Sequence, residues 1–391
     1  MKYLFTIDSL RGGGTETSLL ELIKHFSKDS HATVCYFYDK HDLKEDYEKV
    51  DCELIYFELP GRYSFFSGIR KLKKLVQEKK FDLIVSSLYR SSVMSRMVSF
   101  ITGVPLIDTM VNESYGLEKA KEFKGFHIVK LRLVYFLDRM TSFIPKMWIS
   151  NSAYLSKNLG WQLGISESKI AVIYRGRQAD TIPAWMAPEK PAEFHFVSIG
   201  RLFHQKGHDD LIRTFSLIQG KHPHVRLTIY GEGPERKKLE QLISDLHLEN
   251  AAFLPGRDES AWKNLYAAHC FVLPSRYEGF SGALVEAMMS GIPIIASDIP
   301  VNKEAVTDGK TGLLYRANNT DDLLSKMTDV LTNFKEAVER GKEARKEALV
   351  KYDIKKIAAE YEEVLRCYVL RKHKMNNENS PAYTKATTQR S

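Results

Sequence analysis

Short apolar runs alternate with amphipathic stretches along most of the chain, and this alternation sets the predicted fold. In the first half the apolar runs predict strands at residues 3–7, 33–38, 53–57, 83–86, 106–108, 147–149 and 169–173. After the first strand, Leu19, Leu20, Ile23 and Phe26 recur at helical spacing, which predicts a helix from Thr15 to about Lys28. Strands that alternate with helices indicate a doubly wound α/β domain with a parallel sheet.

The second half follows the same plan without repeating the sequence of the first. Its apolar runs predict strands at residues 194–199, 225–230, 252–254, 271–273, 292–296 and 312–315. A segment with three prolines and little periodicity separates the halves. We therefore predict a first domain at residues 1–180, a linker at 181–192 and a second domain at 193–353. A last helix is predicted at about 354–371, and the polar residues 373–391 are predicted to be disordered.

The stretch from Pro274 to Asp298 has the densest pattern in the chain. An apolar run ends at Pro274, a loop with two glycines follows, and helical spacing then continues to Gly291 and Pro293. A second apolar run closes the stretch, so the order is strand, glycine loop, helix, strand. The N–H groups at the start of such a helix form an anion site. The residues predicted to bind an anionic ligand here are Gly279, Phe280, Ser281 and Gly282.

Two carboxylates accompany this anion site, Glu278 in the loop and Glu286 on the helix. A carboxylate beside a phosphate accepts two hydrogen bonds from a vicinal diol. Phosphate flanked by diols describes a sugar nucleotide, and this is the ligand that the stretch predicts. The alternative interpretation of the two glutamates alone is an amphipathic helix with two solvated acids.

Two cations form a second candidate site. Arg201 and Lys206 follow a predicted strand at its carboxyl end, where open α/β sheets bind ligands. Arg binds two oxygens at once and Lys acts as a point charge, so together they would neutralise a diphosphate. A solvated basic loop is the alternative. The loop after the next strand adds Gly233 to the predicted ligand-binding residues.

A glycine loop also follows the first strand, at residues 12–14. Glycine is needed where a ligand approaches the backbone closely, and a flexible turn is the alternative. The spacing is not that of a dinucleotide-binding fingerprint. Gly13 and Gly14 are therefore candidate ligand-binding residues without an assigned ligand.

These motifs together resemble the retaining GT-B glycosyltransferases of family 4, also called glycosyltransferases group 1. The resemblance rests on Glu278 and Glu286 in their glycine-rich context, on Gly200 to Gly207, and on Gly13 to Glu16. It implies a GT-B fold, in which two Rossmann-like domains face each other across a cleft and a C-terminal helix crosses back onto the first domain. It also implies catalytic roles for Arg201, Lys206 and Glu278, with the glycine loop facing the donor phosphates.

One position departs from the family pattern. Many members carry a histidine after a middle strand of the first domain, facing the sugar. Here the corresponding strand, residues 106–110, is followed by Val111, Asn112, Glu113 and Ser114. We predict that Asn112 takes that place, where it can donate a hydrogen bond but cannot carry a proton.

Composition and charge limit the classes of binding partner that the protein is expected to have. The 391 residues carry a net charge of +8, which favours an anionic partner, whether nucleotide, nucleic acid or membrane surface. Residues 62–80 hold seven cations and one acid around an apolar stripe, which predicts either an anionic membrane contact or an ordinary packed helix. The chain shows no nucleic-acid-binding module. Four separated cysteines and an N-terminus unlike a signal peptide predict a cytoplasmic setting, with Cys35 and Cys270 buried.

The resemblance predicts a retaining enzyme that moves a hexose-type sugar from a UDP- or GDP-linked donor to a saccharide or lipid-linked saccharide. Neither histidine clusters nor a D-x-D motif occur, so neither a metal nor a cofactor is expected. Two alternatives remain, a sugar-nucleotide epimerase of the same shape and a non-catalytic nucleotide-sugar-binding protein. The intact Arg201, Lys206, Glu278 and Glu286 favour the transferase. The sequence does not specify the sugar or the acceptor.

Overall fold

A computed structural model of the chain describes residues 1–61, 64–116, 126–188, 193–258 and 261–378. Its described part contains two parallel sheets, one in each half of the chain. The predicted tail from residue 379 onward lies outside the described residues, as do parts of the predicted linker and of the 62–80 segment.

The first sheet has seven strands in the order β3-β2-β1-β4-β5-β6-β7, and all of its pairings are parallel. Its centre is apolar on both faces, because helices cover both sides. The strands are β1 (Lys2–Ile7), β2 (His31–Tyr36), β3 (Cys52–Tyr56), β4 (Leu83–Ser87), β5 (Leu106–Met110), β6 (Met147–Ser150) and β7 (Ile170–Val172).

The second sheet has six parallel strands in the order β10-β9-β8-β11-β12-β13. Its strands are β8 (Phe194–Ile199), β9 (Val225–Tyr230), β10 (Ala252–Gly256), β11 (Cys270–Leu273), β12 (Ile294–Ser297) and β13 (Leu313–Tyr315). Every predicted strand is present within a few residues of its predicted bounds. Cys35 and Cys270 are buried in these sheets, as predicted.

Helices surround both sheets. They are α1 (Gly14–Lys24), α2 (Lys44–Glu48), α3 (Phe65–Lys79), α4 (Tyr89–Thr102), α5 (Phe126–Thr141), α6 (Ala153–Leu163), α7 (His208–Gln219), α8 (Arg236–Asp245), α9 (Gly282–Ser290), α10 (Pro300–Ala305), α11 (Thr320–Thr332), α12 (Phe334–Lys351) and α13 (Ile354–Glu378).

Two predicted helices have wrong boundaries. Helix α1 ends at Lys24, short of the predicted Lys28, and it begins at Gly14, with Gly13 as its N-cap, rather than at the predicted Thr15. Helix α13 continues to Glu378, so the predicted disordered tail begins too early. Helix α13 packs on the first domain, where Tyr361 stacks on Phe26 and the Glu362 carboxylate accepts a hydrogen bond from the Ser27 amide at 3.0 Å.

The apolar stripe of α3 belongs to the core. Leu72, Leu75 and Val76 are buried in one cluster with residues of β4, and Ile69 is partly buried against it. The packed-helix interpretation of this segment is therefore correct, and its stripe is not available to a membrane. The cations around the stripe remain on the surface, where Lys74 pairs with Glu78 on the next turn.

Both sheets change direction at their centre, and these points position the site. In the first sheet β1 and β4 are neighbours, and in the second sheet β8 and β11 are neighbours. Loops that leave neighbouring strands in opposite directions open a crevice at the carboxyl ends of the strands. The loops after β1, β5, β8 and β11 meet there, which places the predicted motifs of both halves around one cleft.

Candidate active site

Two adjoining cavities, of about 350 Å³ and about 460 Å³, occupy the cleft between the domains. The smaller extends into the first domain, and the larger lies between the glycine loop and the start of α9. Residues from both domains line both cavities, among them Asp8, Leu88, Asn112, Arg201, Gln205, Glu278 and Gly279. Most of the predicted site residues are therefore brought to one place.

The loop before α9 is held tightly on both sides. A Cβ atom on Gly279 would overlap the backbone carbonyl of Val111, so only glycine lets this loop approach the first domain so closely. Ser281 caps α9, and its hydroxyl accepts a hydrogen bond from the Leu284 amide at 3.4 Å. Gly291 ends the helix with φ of 84°. The predicted helix bounds are confirmed.

Lys206 and Glu278 form an ion pair in the cleft. Both side chains are about nine-tenths buried, and the Ser275 hydroxyl also donates to the same Glu278 oxygen at 2.9 Å. Each of these buried charges offsets the other. A ligand with a negative charge can replace Glu278 as the partner of Lys206, which would leave the carboxylate to accept hydrogen bonds from hydroxyl groups.

Arg201 lies beside this pair and lines both cavities. Its guanidinium stacks over the Phe203 ring at 4.8 Å, which fixes the plane of the fork. Arg201 and Lys206 both lie in the loop after β8, so the two predicted cations face the same space.

Glu286 has a partner that the sequence did not reveal. Its Oε1 accepts a hydrogen bond from Arg177 Nε at 2.6 Å, and Arg177 also donates to the Gly176 carbonyl. Arg177 lines the larger cavity beside Gly282, where a Cβ atom would overlap its guanidinium. Glu286 itself is absent from the lining of both cavities, and Arg177, which comes from the segment after β7, connects it to the larger one.

A second arginine after β7 was also missed. Arg175 lines the larger cavity with its guanidinium against Gly14, and burial lowers its pKa to about 10. The signal for both residues was the Tyr174-Arg175-Gly176-Arg177 sequence directly after a strand, two cations at a carboxyl end. Their place in the cleft depends on how the two domains meet, which a strand pattern does not contain.

The glycine loop after β1 lies on the opposite wall of the larger cavity. Gly13 and Gly14 line it with Glu16, which is buried in the first turn of α1. Burial raises the pKa of the Glu16 carboxyl to about 7, although Arg201 and Arg175 act in the opposite direction. At neutral pH this carboxyl is therefore partly protonated and able to donate a hydrogen bond.

Two further residues were predicted for the site, and only one of them lines the cavities. Asn112 follows β5 and lines both cavities, facing the loop of Gly279. Gly233 is absent from the lining of both cavities. Its Cα packs against the carbonyl of Leu202, and this contact supports the loop of Arg201 from behind. Leu88, before α4, adopts φ of 74° at the wall that both cavities share.

Within the described ranges, no group of three or more His, Cys, Asp or Glu side chains is placed to hold a metal ion. The same part of the chain has no helix that is both long enough and apolar enough to cross a bilayer.

Two family models match the chain. Residues 12–180 match the model for Glycosyltransferase Family 4, and residues 185–347 match the model for Glycosyl transferases group 1. Together they cover both walls of the cleft and the motifs described above.

Individual relatives match over different lengths. A poly(ribitol-phosphate) α-N-acetylglucosaminyltransferase of Staphylococcus aureus is 33% identical over 41% of this chain and 32% of its own length. An uncharacterized glycosyltransferase of Haemophilus influenzae is 26% identical over 77% of this chain and 81% of its own. The chain thus spans about a third of the first of these relatives, and 26% of a Methanocaldococcus jannaschii glycosyltransferase.

The crystal structure of Anabaena Alr3699/HepE in complex with UDP-glucose has the same fold. The two structures align with a TM-score of 0.79 at 22% identity, over 94% of this chain and all of the other. The two-domain GT-B architecture predicted from the sequence is therefore confirmed.

Proposed function

Because the chain belongs to the family 4 (group 1) glycosyltransferases, we propose that it transfers a hexose-type sugar from a UDP-sugar to a saccharide or lipid-linked saccharide, with retention of configuration. The observation that carries this proposal is the buried Lys206–Glu278 ion pair beside Arg201 in the cleft. It provides cations for a diphosphate and a carboxylate for sugar hydroxyls within one cavity.

The donor diphosphate binds to Arg201 and Lys206, and its arrival separates Lys206 from Glu278. Gly282, the first residue of α9, lines the same cavity, so the N-terminal end of the helix dipole faces these phosphates. Arg175 and Arg177 line the same cavity and add positive charge on the side of the first domain. This charge stabilises the leaving diphosphate as the bond to the sugar breaks.

The two glutamates then have different roles. Glu278, released from Lys206, accepts hydrogen bonds from the sugar hydroxyls. Glu286 Oε2 binds the ribose diol, while its Oε1 keeps the bond to Arg177. UDP is the proposed nucleoside diphosphate, since the Anabaena neighbour is described as a complex with UDP-glucose.

In the transfer step the acceptor oxygen forms a bond to the anomeric carbon as the bond from that carbon to the phosphate oxygen breaks. Attack and departure take place on the same face of the sugar, which retains the configuration. The acceptor proton passes to the departing phosphate oxygen. Positive side chains take the role that a metal ion has in other transferases, so the reaction is proposed to need no divalent metal.

The acceptor enters from the smaller cavity, which is lined by first-domain residues that include Asn112 and Tyr115. Relatives support a glycan or a lipid-linked acceptor. One is a poly(ribitol-phosphate) N-acetylglucosaminyltransferase, and another, from Campylobacter jejuni, is named for a saccharide on diphospho-undecaprenol. Surface glycan biosynthesis on the inner side of the cytoplasmic membrane is the process proposed here.

A screen with UDP- and GDP-linked sugars tests this function. We expect one UDP-sugar to release UDP slowly in water and faster with an acceptor, and proton NMR of the product to give the donor's anomeric configuration. Interconversion of two nucleotide sugars without transfer would instead identify an epimerase. Binding without turnover for every donor and acceptor tried would identify a non-catalytic binding protein.

A further inference from the structure

The outer face of α5 is apolar and exposed. Val129, Leu133, Phe136 and Met140, here called the α5 face, are each 56 to 60% exposed. Other large exposed apolar side chains occur around it on α4, α5 and α6 and after α5, namely Phe100, Ile101, Leu137, Phe143 and Trp161. These nine make up most of the fifteen large exposed apolar side chains in the described residues.

Helical geometry shows that this face is turned fully away from the core. At 100° per residue, the α5 face is centred opposite Asp138. Asp138 is buried, and its carboxylate accepts hydrogen bonds from Arg96 and, at 2.7 Å, from Tyr115. Asp138 thus faces inward together with the partly buried Leu131 and Tyr135, whereas the α5 face points outward, so α5 is apolar on its outer side as well as on its core side.

Neighbouring residues widen the face on its α6 side. The Tyr135 hydroxyl donates to the Gln162 carbonyl at 2.8 Å, which ties α5 to α6. Trp161, next to Gln162, is 82% exposed. Tryptophan and phenylalanine are the side chains that settle at the boundary between lipid head groups and acyl chains.

The charges around the face have one sign. Lys130, Arg132 and Arg139 on α5 and Lys146 after it are exposed, whereas Asp138, the one acid between residues 126 and 146, is buried. A second copy of the chain across a twofold axis would bring these cations against the same cations. An anionic bilayer would instead neutralise them while it takes up the apolar side chains.

We propose that α5 lies in the plane of an anionic phospholipid surface, with the α5 face in the acyl boundary and the four cations on the head groups. This proposal replaces α3 as the membrane contact. It rests on the proposed function only for its purpose, which is to bring a lipid-linked acceptor to the cleft.

The position of α5 fits that purpose. Tyr115 lines the smaller cavity of the cleft and also lines a surface cavity of about 290 Å³ with Leu131, Arg132, Tyr135 and Gln162. A saccharide attached to a lipid in the bilayer would therefore enter the acceptor side of the cleft alongside α5.

Sedimentation with vesicles tests the proposal. The full chain should pellet with vesicles of phosphatidylcholine and phosphatidylglycerol in equal parts, and much less with phosphatidylcholine alone or in high salt. The double variant Leu133→Ser/Phe136→Ser should bind at least about tenfold more weakly than the wild type, because two large apolar side chains no longer enter the bilayer. The variant Lys130→Glu/Arg132→Glu should lose most of the salt-sensitive binding.

Two matched controls locate the surface. Leu217 on α7 of the second domain is 52% exposed, close to the 57% of Leu133, so Leu217→Ser should bind vesicles as the wild type does. Arg70→Glu/Lys74→Glu on α3 should bind nearly as well. Loss of binding in the α3 variant with retention in Leu133→Ser/Phe136→Ser would overturn the assignment to α5.

Other results would also overturn it. If the wild type stays in the supernatant with anionic vesicles at low salt, the α5 face is not a membrane-binding surface. A wild-type dimer that Leu133→Ser/Phe136→Ser converts to a monomer, without vesicle binding, would show that a second copy covers the face. Neither outcome bears on UDP binding, which calorimetry measures without vesicles and which both α5 variants should retain.

Discussion

Replacing Glu16 with Gln should stabilise the protein at high pH and leave it unchanged at low pH. Burial raises the pKa of Glu16 from its usual 4.5 to about 7, so the folded state holds the proton more tightly than the unfolded state. The stability contributed by the protonated carboxyl is complete below pH 4.5 and is lost as the pH rises to about 7. At about 1.4 kcal/mol per pH unit, the loss amounts to about 3 kcal/mol at pH 8.

Urea unfolding at pH 4 and pH 8, followed by circular dichroism, measures this effect. Glu16→Gln should move the midpoint of the first-domain transition up by about 1 M at pH 8 and leave it nearly unchanged at pH 4. Glu21→Gln is the matched control, since Glu21 lies on the same helix and pairs at the surface with Lys24. It should change the midpoint little at either pH. If Glu16→Gln instead destabilises the domain at pH 8, Glu16 is ionised in the folded state and held by Arg175 and Arg201.

Three further predictions concern catalysis. Arg201→Ala should lower kcat/KM roughly a hundredfold, as loss of a preorganised charge contact does. If the variant folds and transfers sugar as efficiently as the wild type, Arg201 is not part of the site. Glu286→Gln should weaken UDP binding measured by calorimetry, whereas Glu278→Gln should spare UDP binding and slow transfer; equal loss of affinity in both would contradict their separate roles. EDTA should leave the transfer rate unchanged, and activity that EDTA abolishes and magnesium or manganese restores would contradict the proposal of a reaction without metal.

The strands and the α9 motif could be predicted from the sequence because their determinants are local. Strand β11 is an apolar run that ends at Pro274, and α9 begins after a serine cap and ends at a glycine with positive φ. The period of the hydrophobic residues and the capping residues are sufficient to predict such elements from the sequence. The end of α1 at Lys24 has no strong cap, and the sequence prediction therefore placed it several residues too late.

The partners of the site residues could not be predicted, because they come from the other domain or from distant loops. Arg177 reaches Glu286 in the other domain across more than a hundred positions of sequence, and Arg175 reaches the distant glycine loop of its own domain. Periodicity likewise shows that α3 has an apolar stripe but not what covers it. Only the packing of that stripe against β4 distinguishes core from membrane contact.

The central claim is that Arg201 and Lys206 bind the diphosphate of a UDP-sugar in the cleft. Calorimetric titration with UDP and with uridine, against wild type and Arg201→Ala/Lys206→Ala, tests it most directly. Lys221→Ala, at the exposed surface beyond α7, serves as a control for loss of a cation outside the cleft. The account predicts that wild type and Lys221→Ala bind UDP far more tightly than uridine, and that the double variant loses most of this preference. A double variant that keeps the full preference for UDP would contradict it.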